Sequence, residues 1–377
     1  MRKPAVIHHS IQLPFSGPPV LAVGARLNNT LCSTSRDYAH LSRELGDLDG
    51  AAVCTDHEVA AIEILVWQAT IPALVARDID PDMHSTRFAI ELAANLGVHH
   101  LAVQHHHAHV AAVCAEHGLM EPVVGLVLDD IGYGSDGGSW GGELFWVDND
   151  KFERLGHLQP LLMPGGEIAQ REQWRLAAGV LHTLQRTNDI QRRYGGFPAS
   201  VDLVSMLREG RNCPASSSAM MLMSAVAALL GLDAVGNPRL DAVRALEAAA
   251  TSYFASNSNY SPVNELLWNI DQRHVLDLRP LLADIVDERD GRRGAATFHA
   301  SLIAGATEWV SRACERSGAR TAVLAGACLL DRLLAVGLRD NLSRRGIAVF
   351  EMTKIAPDDS SVSLGQAWIA LHAVKHI

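Results

Sequence analysis

The segment Val103–Val147 constrains the fold more strongly than any other stretch of the chain. It starts with four histidines in five residues, and two of them, His105 and His109, are four residues apart. One helical turn places such positions on the same face, so the two imidazoles can hold one metal ion. An apolar run at 123–128 then ends at Asp129, and a strand end is a frequent place for a third ligand or a catalytic acid. The segment therefore predicts a metal site, although a polar, solvated helix end would show a similar histidine pattern.

A glycine-rich loop follows Asp129 and suggests contact with an anion. Within eleven residues it contains the six glycines Gly132, Gly134, Gly137, Gly138, Gly141 and Gly142. Glycine lets backbone N–H groups approach an anion closely, which is typical of phosphate-binding loops. A long hairpin with positive φ angles in its turn would have the same composition, so the residues alone leave both interpretations open.

Charge and cysteine usage exclude several classes of function. The 377-residue chain is long enough for two domains, and its formal net charge of −10 argues against non-specific binding to nucleic acid. Its six cysteines include no CxxC pair, which is typical of free thiols in a reducing compartment. The N-terminus lacks the apolar core of a secretory signal, and the most apolar run, 219–230, is shorter than the roughly 20 residues that span a membrane. We therefore expect a cytoplasmic protein without a membrane segment.

Several sequence blocks together carry a family resemblance. They are GARLNNTLC, SRELGDLD, ARDIDPDMHSTRFA, VQHHHAHVAAVCAEHG, DDIGYGSDGGSWGGELF, MPGGEIAQREQWRLA, FHASL and PDDSSVSLGQA. From about Ala22 to the C-terminus, the chain resembles the carbamoyltransferase (Kae/TsaD-like) domain of the hydrogenase maturation protein HypF. The sequence contains no counterpart of the acylphosphatase, zinc-finger and YrdC-like domains of full-length members, so we expect a short form.

The resemblance implies a fold and a division of the chain. The expected fold is α/β and actin/Hsp70-like (ASKHA), with two duplicated mixed-sheet lobes, a helical insertion and a cleft between the lobes. Residues 1–19 would form an extended lead-in and 20–120 the first lobe, with the C-terminal helix 362–377 packing back on it. Residues 121–361 would form the second lobe, which contains a mainly helical insertion at about 166–276.

The resemblance also implies site residues. The ligands of a divalent metal, zinc or iron, would be His105, His109, Asp129 and Asp359. The glycines of the loop and Gly326 would contact ATP or carbamoyl-adenylate. Arg171 and Arg175 lie four apart in a segment with helical spacing, 167–187, and would hold a carbamoyl or phosphate oxyanion unless they form a solvated face. His106 would face the substrate as a catalytic group or support the metal ligands.

The implied reaction is carbamoyl transfer in [NiFe]-hydrogenase maturation. A group derived from carbamoyl phosphate and activated as carbamoyl-adenylate would pass to the C-terminal cysteine thiolate of a HypE-like partner, for synthesis of the cyanide ligand. We expect no nucleic acid or membrane as partner, and an oligomer is compatible with the sequence. Two alternatives stay open: a metal-binding scaffold without turnover, and a metal-dependent carbamoyltransferase for a small-molecule acceptor.

The chain departs from the family pattern around the expected nucleotide. The family's SGGVFQN is AGACLLD here, at Ala325–Asp331, so Gly326 alone is left of a glycine pair. Asn28 replaces a lysine, Asp130 replaces a glycine, and the family's NDGG is Asp358–Ser361. Each change makes phosphate binding less favourable, whereas all four expected metal ligands are kept. The sequence therefore predicts an intact metal site beside a weakened nucleotide site.

Overall fold

The structure, a computed structural model, describes residues 4–232, 240–257 and 267–374. The strands within these ranges are β1 (Ile7–Gly17), β2 (Val20–Ala22), β3 (Cys32–Ser42), β4 (Leu74–Asp78), β5 (His99–Val103), β6 (Val123–Tyr133), β7 (Ser139–Asp148), β8 (Lys151–Leu158), β9 (Leu161–Leu162), β10 (Ala215–Ser216), β11 (Asn269–Ile270), β12 (Val275–Asp277), β13 (Thr321–Ala325) and β14 (Ala348–Phe350). The α-helices are α1 (Ala51–Gln68), α2 (His84–Leu96), α3 (His105–His117), α4 (Gln173–Thr183), α5 (Asn188–Tyr194), α6 (Ser200–Glu209), α7 (Ala219–Leu229), α8 (Leu240–Ser256), α9 (Arg279–Asp287), α10 (Gly291–Ser317), α11 (Arg332–Arg344) and α12 (Val362–Ala373). Short 3₁₀ helices lie at Gly166–Gln170, Ala327–Leu330 and Asp359–Ser361.

The first sheet has five strands in the order β1-β3-β2-β4-β5. The pairs β1/β3 and β3/β2 are antiparallel, whereas β2/β4 and β4/β5 are parallel. The segment 7–17, expected as part of an extended lead-in, is therefore the outermost strand of this sheet. Buried and exposed side chains alternate along this segment, since Ile11 and Leu13 are buried while Gln12 between them is exposed. This alternation explains why the segment pairs as a strand.

The second sheet repeats the pairing pattern of the first. Its strands run in the order β11-β12-β8-β7-β6-β13-β14, and the short strands β9 and β10 lie beside β7. Within it, β8/β7 and β7/β6 are antiparallel and β6/β13 and β13/β14 are parallel. The strands β8-β7-β6-β13-β14 of this sheet thus correspond to β1-β3-β2-β4-β5 of the first. The outermost strand is the first along the chain in the first lobe (β1) and the third in the second lobe (β8). Two mixed sheets of matching order confirm the predicted duplicated, actin/Hsp70-like α/β fold.

Helices α3 and α12 lie between the two sheets and pack against each other. One core joins them to both sheets; Val110 and Val113 of α3 and Trp368 of α12 are among its fully buried side chains. Burying a side chain such as Val110 contributes roughly 1.5–3 kcal/mol before the entropy of ordering the chain is subtracted. Because α3 is buried on every side as far as residue 116, its histidines face protein and not bulk water.

Most of the helices predicted after residue 166 are present, with different bounds. The single helix predicted at 167–187 is wrong: a 3₁₀ helix and α4 occupy this segment, and α5 begins after it, at Asn188. Residues 233–239 and 258–266 of the insertion predicted to be mainly helical lie outside the described residues. Within the part of the chain that the structure describes, we find no helix with the length and apolar character needed to cross a bilayer.

Candidate metal centre

The histidine helix begins directly at the end of β5. Gln104 is its N-cap, because the side-chain Oε1 accepts a hydrogen bond from the backbone N–H of His107 at 2.8 Å. This cap fixes the first helical turn at His105, and one turn later His109 lies beside it, with ring centroids 5.0 Å apart. Both rings are buried. The interpretation of these histidines as a solvated helix end is therefore wrong.

Two carboxylates complete a four-residue cluster with these rings. His105 Nε2 lies 3.4 Å from Asp359 Oδ1 and 3.6 Å from Asp129 Oδ2. His109 Nε2 lies 2.9 Å from Asp129 Oδ2 and 3.6 Å from Asp359 Oδ1. All four potential ligand atoms are within 4.8 Å of one another. Ligand atoms around a tetrahedral zinc ion are roughly 3.3 Å apart, since the metal–ligand bonds are about 2.0–2.2 Å long.

Each carboxylate comes from a different part of the fold. Asp129 lies on β6, where the strand passes the N-terminal end of α3, and its Oδ1 accepts a hydrogen bond from the Ala327 N–H at 2.8 Å. Asp359 begins the 3₁₀ helix in front of α12. With Oδ1 of Asp129 held by Ala327, its Oδ2 is directed to the histidines. The strand-end position predicted for Asp129 is nearly right, although β6 continues to Tyr133.

Gly326 supports Asp129 and does not line the cleft. It has a φ of 101°, and a Cβ there would lie 2.4 Å from the carbonyl oxygen of Leu128. Only glycine can bring the chain this close to β6 and so place the Ala327 N–H against Asp129. The Cα of Gly326 thus faces β6 on this side, and a contact between Gly326 and a nucleotide stays a prediction.

Asp78 is a functional residue that the sequence analysis did not identify. It is buried at the end of β4, and its Oδ2 lies 2.9 Å from Nδ1 of His105. An imidazole that donates its Nδ1–H to a carboxylate presents its Nε2 lone pair to a metal. A possible signal was its place at the carboxyl end of a parallel strand, next to the strand that leads into α3.

Burial and charge oppose each other in this cluster. Burial lowers the pKa of both histidines, but the nearby carboxylates outweigh it and raise the pKa of His109 to about 9 and that of His105 well above its ordinary value. Burial raises the pKa of Asp129 and Asp359, but the two histidines lower it, to about 2 for Asp359 and well below the usual range for Asp129. Without a metal, the cluster is a set of buried ion pairs.

The donor set fits a divalent metal. Among the described residues, His109 Nδ1 is buried without a hydrogen-bond partner, which is a costly state for a group that only stabilises the fold. Two imidazoles and two carboxylates suit Zn²⁺ or Fe²⁺, and a metal would replace the imidazole protons as the positive charge. The residues that would hold the ion are those predicted, His105, His109, Asp129 and Asp359.

The cluster lies between two cavities in the cleft. The smaller, the glycine chamber, has a volume of about 330 Å³. The larger, the acidic chamber, has about 500 Å³. Both are lined by Arg26, Leu27, Gln170, Arg171 and Asp359. The glycine chamber also contains Asp80, Met83, His105, Ile131, Gly132, Tyr133, Gly137, Gly138, Ser139 and Glu167; the acidic chamber contains Asn28, Asp47, Asp49, Asp129, Asp130, Met220, Leu240, Ala327 and Asp358.

The glycine-rich segment is a hairpin and not an open phosphate-binding loop. Gly132 is still in β6, while Gly141 and Gly142 are already in β7. The amides of Gly141 and Gly142 donate to Glu143 Oε1, at 3.1 and 3.3 Å. In the turn, the amides of Gly134, Gly137 and Gly138 donate to Gly138 O, Gly134 O and Asp136 Oδ1. The predicted phosphate contacts through these five amides are therefore wrong, and the hairpin interpretation holds.

The two predicted arginines do not act as a pair. Arg171 is exposed at the end of a 3₁₀ helix, and it lines both chambers. Arg175 is buried in α4, where its Nε donates to Glu172 Oε2 at 2.6 Å and its guanidinium lies over the Trp174 ring. The prediction of a bidentate Arg171–Arg175 clamp is wrong because the helix starts only at Gln173. The second cation of the cleft is Arg26, which the sequence analysis did not identify; its Nε lies 2.7 Å from Asp49.

His106 is the predicted catalytic histidine, and it lies inside the site. Its Nε2 is buried 3.9 Å from Asp129 Oδ2, and no residue in the described part of the chain forms a hydrogen bond with it. Burial, followed by the charge of His105, lowers its pKa to about 3. The next residue, His107, points away, and its Nε2 is 3.1 Å from the carbonyl oxygen of Asn149.

Comparisons with known proteins identify the family of this chain. Two family profiles match the chain, described as HypF Kae1-like domain over residues 16–116 and as carbamoyltransferase, Kae1-like domain, second subdomain, over residues 125–366. A carbamoyltransferase HypF homolog of Cupriavidus necator is 41% identical over 361 residues, which are 93% of this chain and 91% of that protein. The chain belongs to the HypF carbamoyltransferase family.

Other members of the HypF family are longer than this chain. Carbamoyltransferase HypF2 of C. necator is 40% identical over 96% of this chain but 48% of its own length. HypF of Rhizobium leguminosarum bv. viciae is 35% identical over 97% of this chain and 47% of its own length. The chain thus spans about half the length of these curated relatives.

Solved HypF structures have the same fold as this chain. Full-length HypF in a phosphate- and nucleotide-bound form matches with a TM-score of 0.87 and 28% identity, over 97% of this chain and 57% of that chain. HypF of T. kodakarensis matches with a TM-score of 0.85 and 24% identity, over 97% and 49%. These likenesses agree with the duplicated lobes described above.

Proposed function

We propose that this chain is a carbamoyltransferase of [NiFe]-hydrogenase maturation. It would transfer a carbamoyl group from carbamoyl-adenylate to the C-terminal cysteine thiolate of a HypE-like partner. The observation that carries the proposal is the buried cluster of His105, His109, Asp129 and Asp359 between two cleft chambers. The activity printed for the relative of similar length, carbamoyltransferase, supports the reaction class. Six free cysteines support a cytoplasmic location.

The two chambers suit the two reactants. The acidic chamber, at about 500 Å³, has room for an adenosine, whereas the glycine chamber, at about 330 Å³, suits the end of a peptide. Arg26 and Arg171 belong to the wall that both chambers share, next to Asp359. Their guanidinium groups would hold the single phosphate of the adenylate at this wall. The carbamoyl carbon would then lie beside the cluster, accessible to a sulfur that enters from the glycine chamber.

The chemistry is an acyl transfer in which atoms and charges balance. The acceptor thiol loses its proton to solvent water, and the resulting thiolate attacks the carbamoyl carbon. A C–S bond forms as the C–O bond to the AMP phosphate breaks, and AMP leaves with the bonding electron pair. Arg26 and Arg171 would stabilise the negative charge on the departing phosphate. A bound divalent metal would supply a Lewis acid for the carbamoyl oxygen.

Reconstitution with a defined acceptor tests this proposal. The purified chain receives a HypE-like protein together with carbamoyl-adenylate, which a separate YrdC-like domain makes from carbamoyl phosphate and ATP. We expect a mass increase of one carbamoyl group on the acceptor's C-terminal cysteine and release of AMP. An acceptor with its terminal cysteine replaced by serine is the control. Absence of the thiocarbamate at full metal load would overturn the proposal.

A second variant pair tests the role of the shared wall. Arg171→Gln removes a cation from both chambers and should lower the transfer rate about 10-fold or more. Arg211→Gln is the matched control, because Arg211 is an exposed arginine paired with Glu209 and lines neither chamber. Equal loss in both variants would contradict the assignment.

A scaffold without turnover is the second candidate function. It is favoured by the charge of the acidic chamber, where Asp47, Asp49, Asp129, Asp130, Asp358 and Asp359 face Arg26 and Arg171. Such an excess of carboxylates opposes the binding of nucleotide phosphates. Stable binding of the HypE-like protein with no product in the reconstitution would support this scaffold function. A product on a small-molecule acceptor instead of the protein would support the third possibility, a small-molecule carbamoyltransferase.

A further inference from the structure

Two adjacent histidines in α3 have different partners on their Nδ1 atoms. His105 Nδ1 lies 2.9 Å from a carboxylate oxygen of Asp78, which can only accept a hydrogen bond. In its neutral, metal-binding form, His105 therefore carries its proton on Nδ1 and presents the Nε2 lone pair to the cluster. The partner of His106 Nδ1 is the side chain of Gln104, at 3.3 Å. The protonation of His106 thus depends on which end of that amide faces it.

The helix cap fixes the orientation of the Gln104 amide. Its Oε1 accepts from the His107 backbone N–H at 2.8 Å, a group that can only donate. Its Nε2 therefore faces the other way, where it donates to the carbonyl oxygen of Tyr133 at 3.2 Å. The same NH₂ group faces His106 Nδ1, which must accept. With Nδ1 as the acceptor, a neutral His106 carries its proton on Nε2.

The Nε2–H of His106 points into the site and has no hydrogen-bond partner among the described residues. It is buried, and the nearest carboxylate oxygen, Oδ2 of Asp129, is 3.9 Å away, too far for a hydrogen bond. Gly132 provides the space for this ring, since a Cβ there would lie 2.7 Å from His106 Cε1. A buried donor without a partner is costly, so the presence of this N–H indicates that a bound molecule supplies its acceptor.

We propose that Gln104 fixes His106 in the Nε2–H form, so that His106 donates a hydrogen bond to the carbamoyl oxygen at the cluster. This inference rests on the proposed function for the identity of that oxygen. It makes His106 an oxyanion-stabilising group and excludes it as a metal ligand, because Nε2 has no free lone pair. Gln104 is then a positioning residue that acts through His106. Negative charge develops on the carbamoyl oxygen during thiolate attack, and a donor fixed in advance stabilises it without reorganisation.

Nuclear magnetic resonance of histidine-labelled, zinc-loaded protein tests the tautomer directly. Long-range ¹H–¹⁵N correlation spectra report which ring nitrogen carries the proton, and His106→Gln identifies the His106 signals by their loss. We expect Nε2–H for His106 and Nδ1–H for His105. Gln104→Glu keeps an oxygen for the His107 N–H but replaces the NH₂ donor by an acceptor, so it should move the His106 proton to Nδ1. An Nδ1–H tautomer in the wild type, or an unchanged tautomer in Gln104→Glu, would overturn the proposal.

Metal content and transfer rate separate the donor role from a ligand role. His106→Leu should lower the carbamoyl transfer rate about 100-fold with unchanged zinc content, the usual effect of losing one oxyanion donor. His106→Gln retains an N–H donor and should recover part of that rate. Loss of zinc in His106→Leu, to the extent seen in His109→Ala, would overturn the proposal by showing a ligand. If the wild type transfers no carbamoyl group, the proposed function fails, whereas the tautomer and zinc measurements still decide the Gln104–His106 arrangement.

Gln104→Met tests whether the result of Gln104→Glu is due to the charge that this substitution introduces. It removes the amide without adding a carboxylate, so the His106 proton should lose its preference for Nε2, and the transfer rate should fall at unchanged zinc content. His107→Gln is the control for changes in the same helical turn. His107 points to Asn149, so this variant should keep the His106 tautomer and the wild-type rate. A His106 signal in Gln104→Met identical to that of the wild type would overturn the role of Gln104.

Discussion

Asp78 Oδ2 lies 2.9 Å from His105 Nδ1, so a carboxylate at the end of β4 determines which ring nitrogen faces the cluster. Asp78→Asn would place an NH₂ donor where the carboxylate accepts, and the His105 proton would move to Nε2. We expect metal affinity to fall about 10- to 100-fold, as is usual when the partner of a ligating histidine is replaced. Competition with a chromogenic chelator measures it. Asp82→Asn, in the exposed turn that follows, is the control and should keep wild-type affinity.

His109→Ala should abolish stoichiometric metal binding. The variant removes one of two imidazoles and leaves Asp129 and Asp359 close to each other without its charge. Elemental analysis should find about one zinc or iron ion per wild-type chain and on the order of a tenth of that in the variant. His100→Ala, which changes an exposed histidine on β5, is the matched control. The metal site would be wrongly assigned if His109→Ala carried the wild-type load.

Gly326→Ala should destabilise the protein and loosen Asp129. The new Cβ would meet the Leu128 carbonyl oxygen at 2.4 Å, in a backbone region that alanine rarely adopts. The expected cost is about 1–3 kcal/mol of the free energy of unfolding, measured in urea, with weaker metal binding because the Ala327 N–H moves. Gly196→Ala is the control, since a Cβ at Gly196 meets nothing within 4 Å. Equal stability of the two variants would contradict the tight packing at Gly326.

His57 should make the protein less stable in acid. Burial and the neighbouring His84 lower the pKa of His57 to about 4, although its contact with the Val23 carbonyl oxygen, at 3.1 Å, raises it. The unfolded chain takes up this proton near pH 6.5, so the stabilisation is complete above that pH. It is lost as the pH falls from 6.5 to 4, at up to about 1.4 kcal/mol per pH unit.

The variant His57→Gln isolates this contribution because it retains an N–H donor for Val23 and does not titrate. The stability advantage of the wild type over His57→Gln should shrink by about 2–3 kcal/mol between pH 7.5 and pH 4.5. Urea unfolding at intervals across this range measures it. A difference that stays constant with pH would show that His57 is not the group responsible.

The acidic chamber should bind ATP weakly. Asp130 and its neighbouring carboxylates face the region of the phosphates, so we expect a dissociation constant on the order of 10 μM or weaker by calorimetry. Asp130→Asn should strengthen ATP binding roughly 5-fold, because it removes a negative charge from the chamber. Asp340→Asn, on α11 outside both chambers, should have no effect. Tight ATP binding by the wild type would show that the chain's departures from the family pattern have not weakened this site.

Local spacing was enough to predict part of the site. The four-residue separation of His105 and His109 indicated a common helix face, and the apolar run indicated a strand before Asp129, because each pattern depends on contacts within one element. All three residues belong to the cluster. Asp359 was expected only through the family resemblance, since 230 residues separate it from Asp129 and no local pattern joins them. Asp78 was not identified for the same reason: its contact with His105 exists only when β4 and β5 pair.

The errors also have physical causes. Arg171 and Arg175 fit helical spacing, but the chain forms a 3₁₀ turn and leaves it before α4, so the two side chains diverge. The glycines were expected to present free amides, whereas Glu143, buried two residues after Gly141, accepts from two of them. Neither Glu143 nor the turn at Gly166–Gln170 has a sequence pattern that reveals its partner in space.

The position of α12 sets the order in which the protein can be completed during translation. Helix α3 emerges from the ribosome early, yet one of its main packing partners is the last helix of the described chain. The first lobe therefore cannot close around α3 while α12 is still in the exit tunnel. Asp359 precedes α12 directly, so the fourth ligand arrives at the same moment. Loading with a metal ion therefore requires that Asp359 and α12 have been synthesised and that α12 has packed against α3.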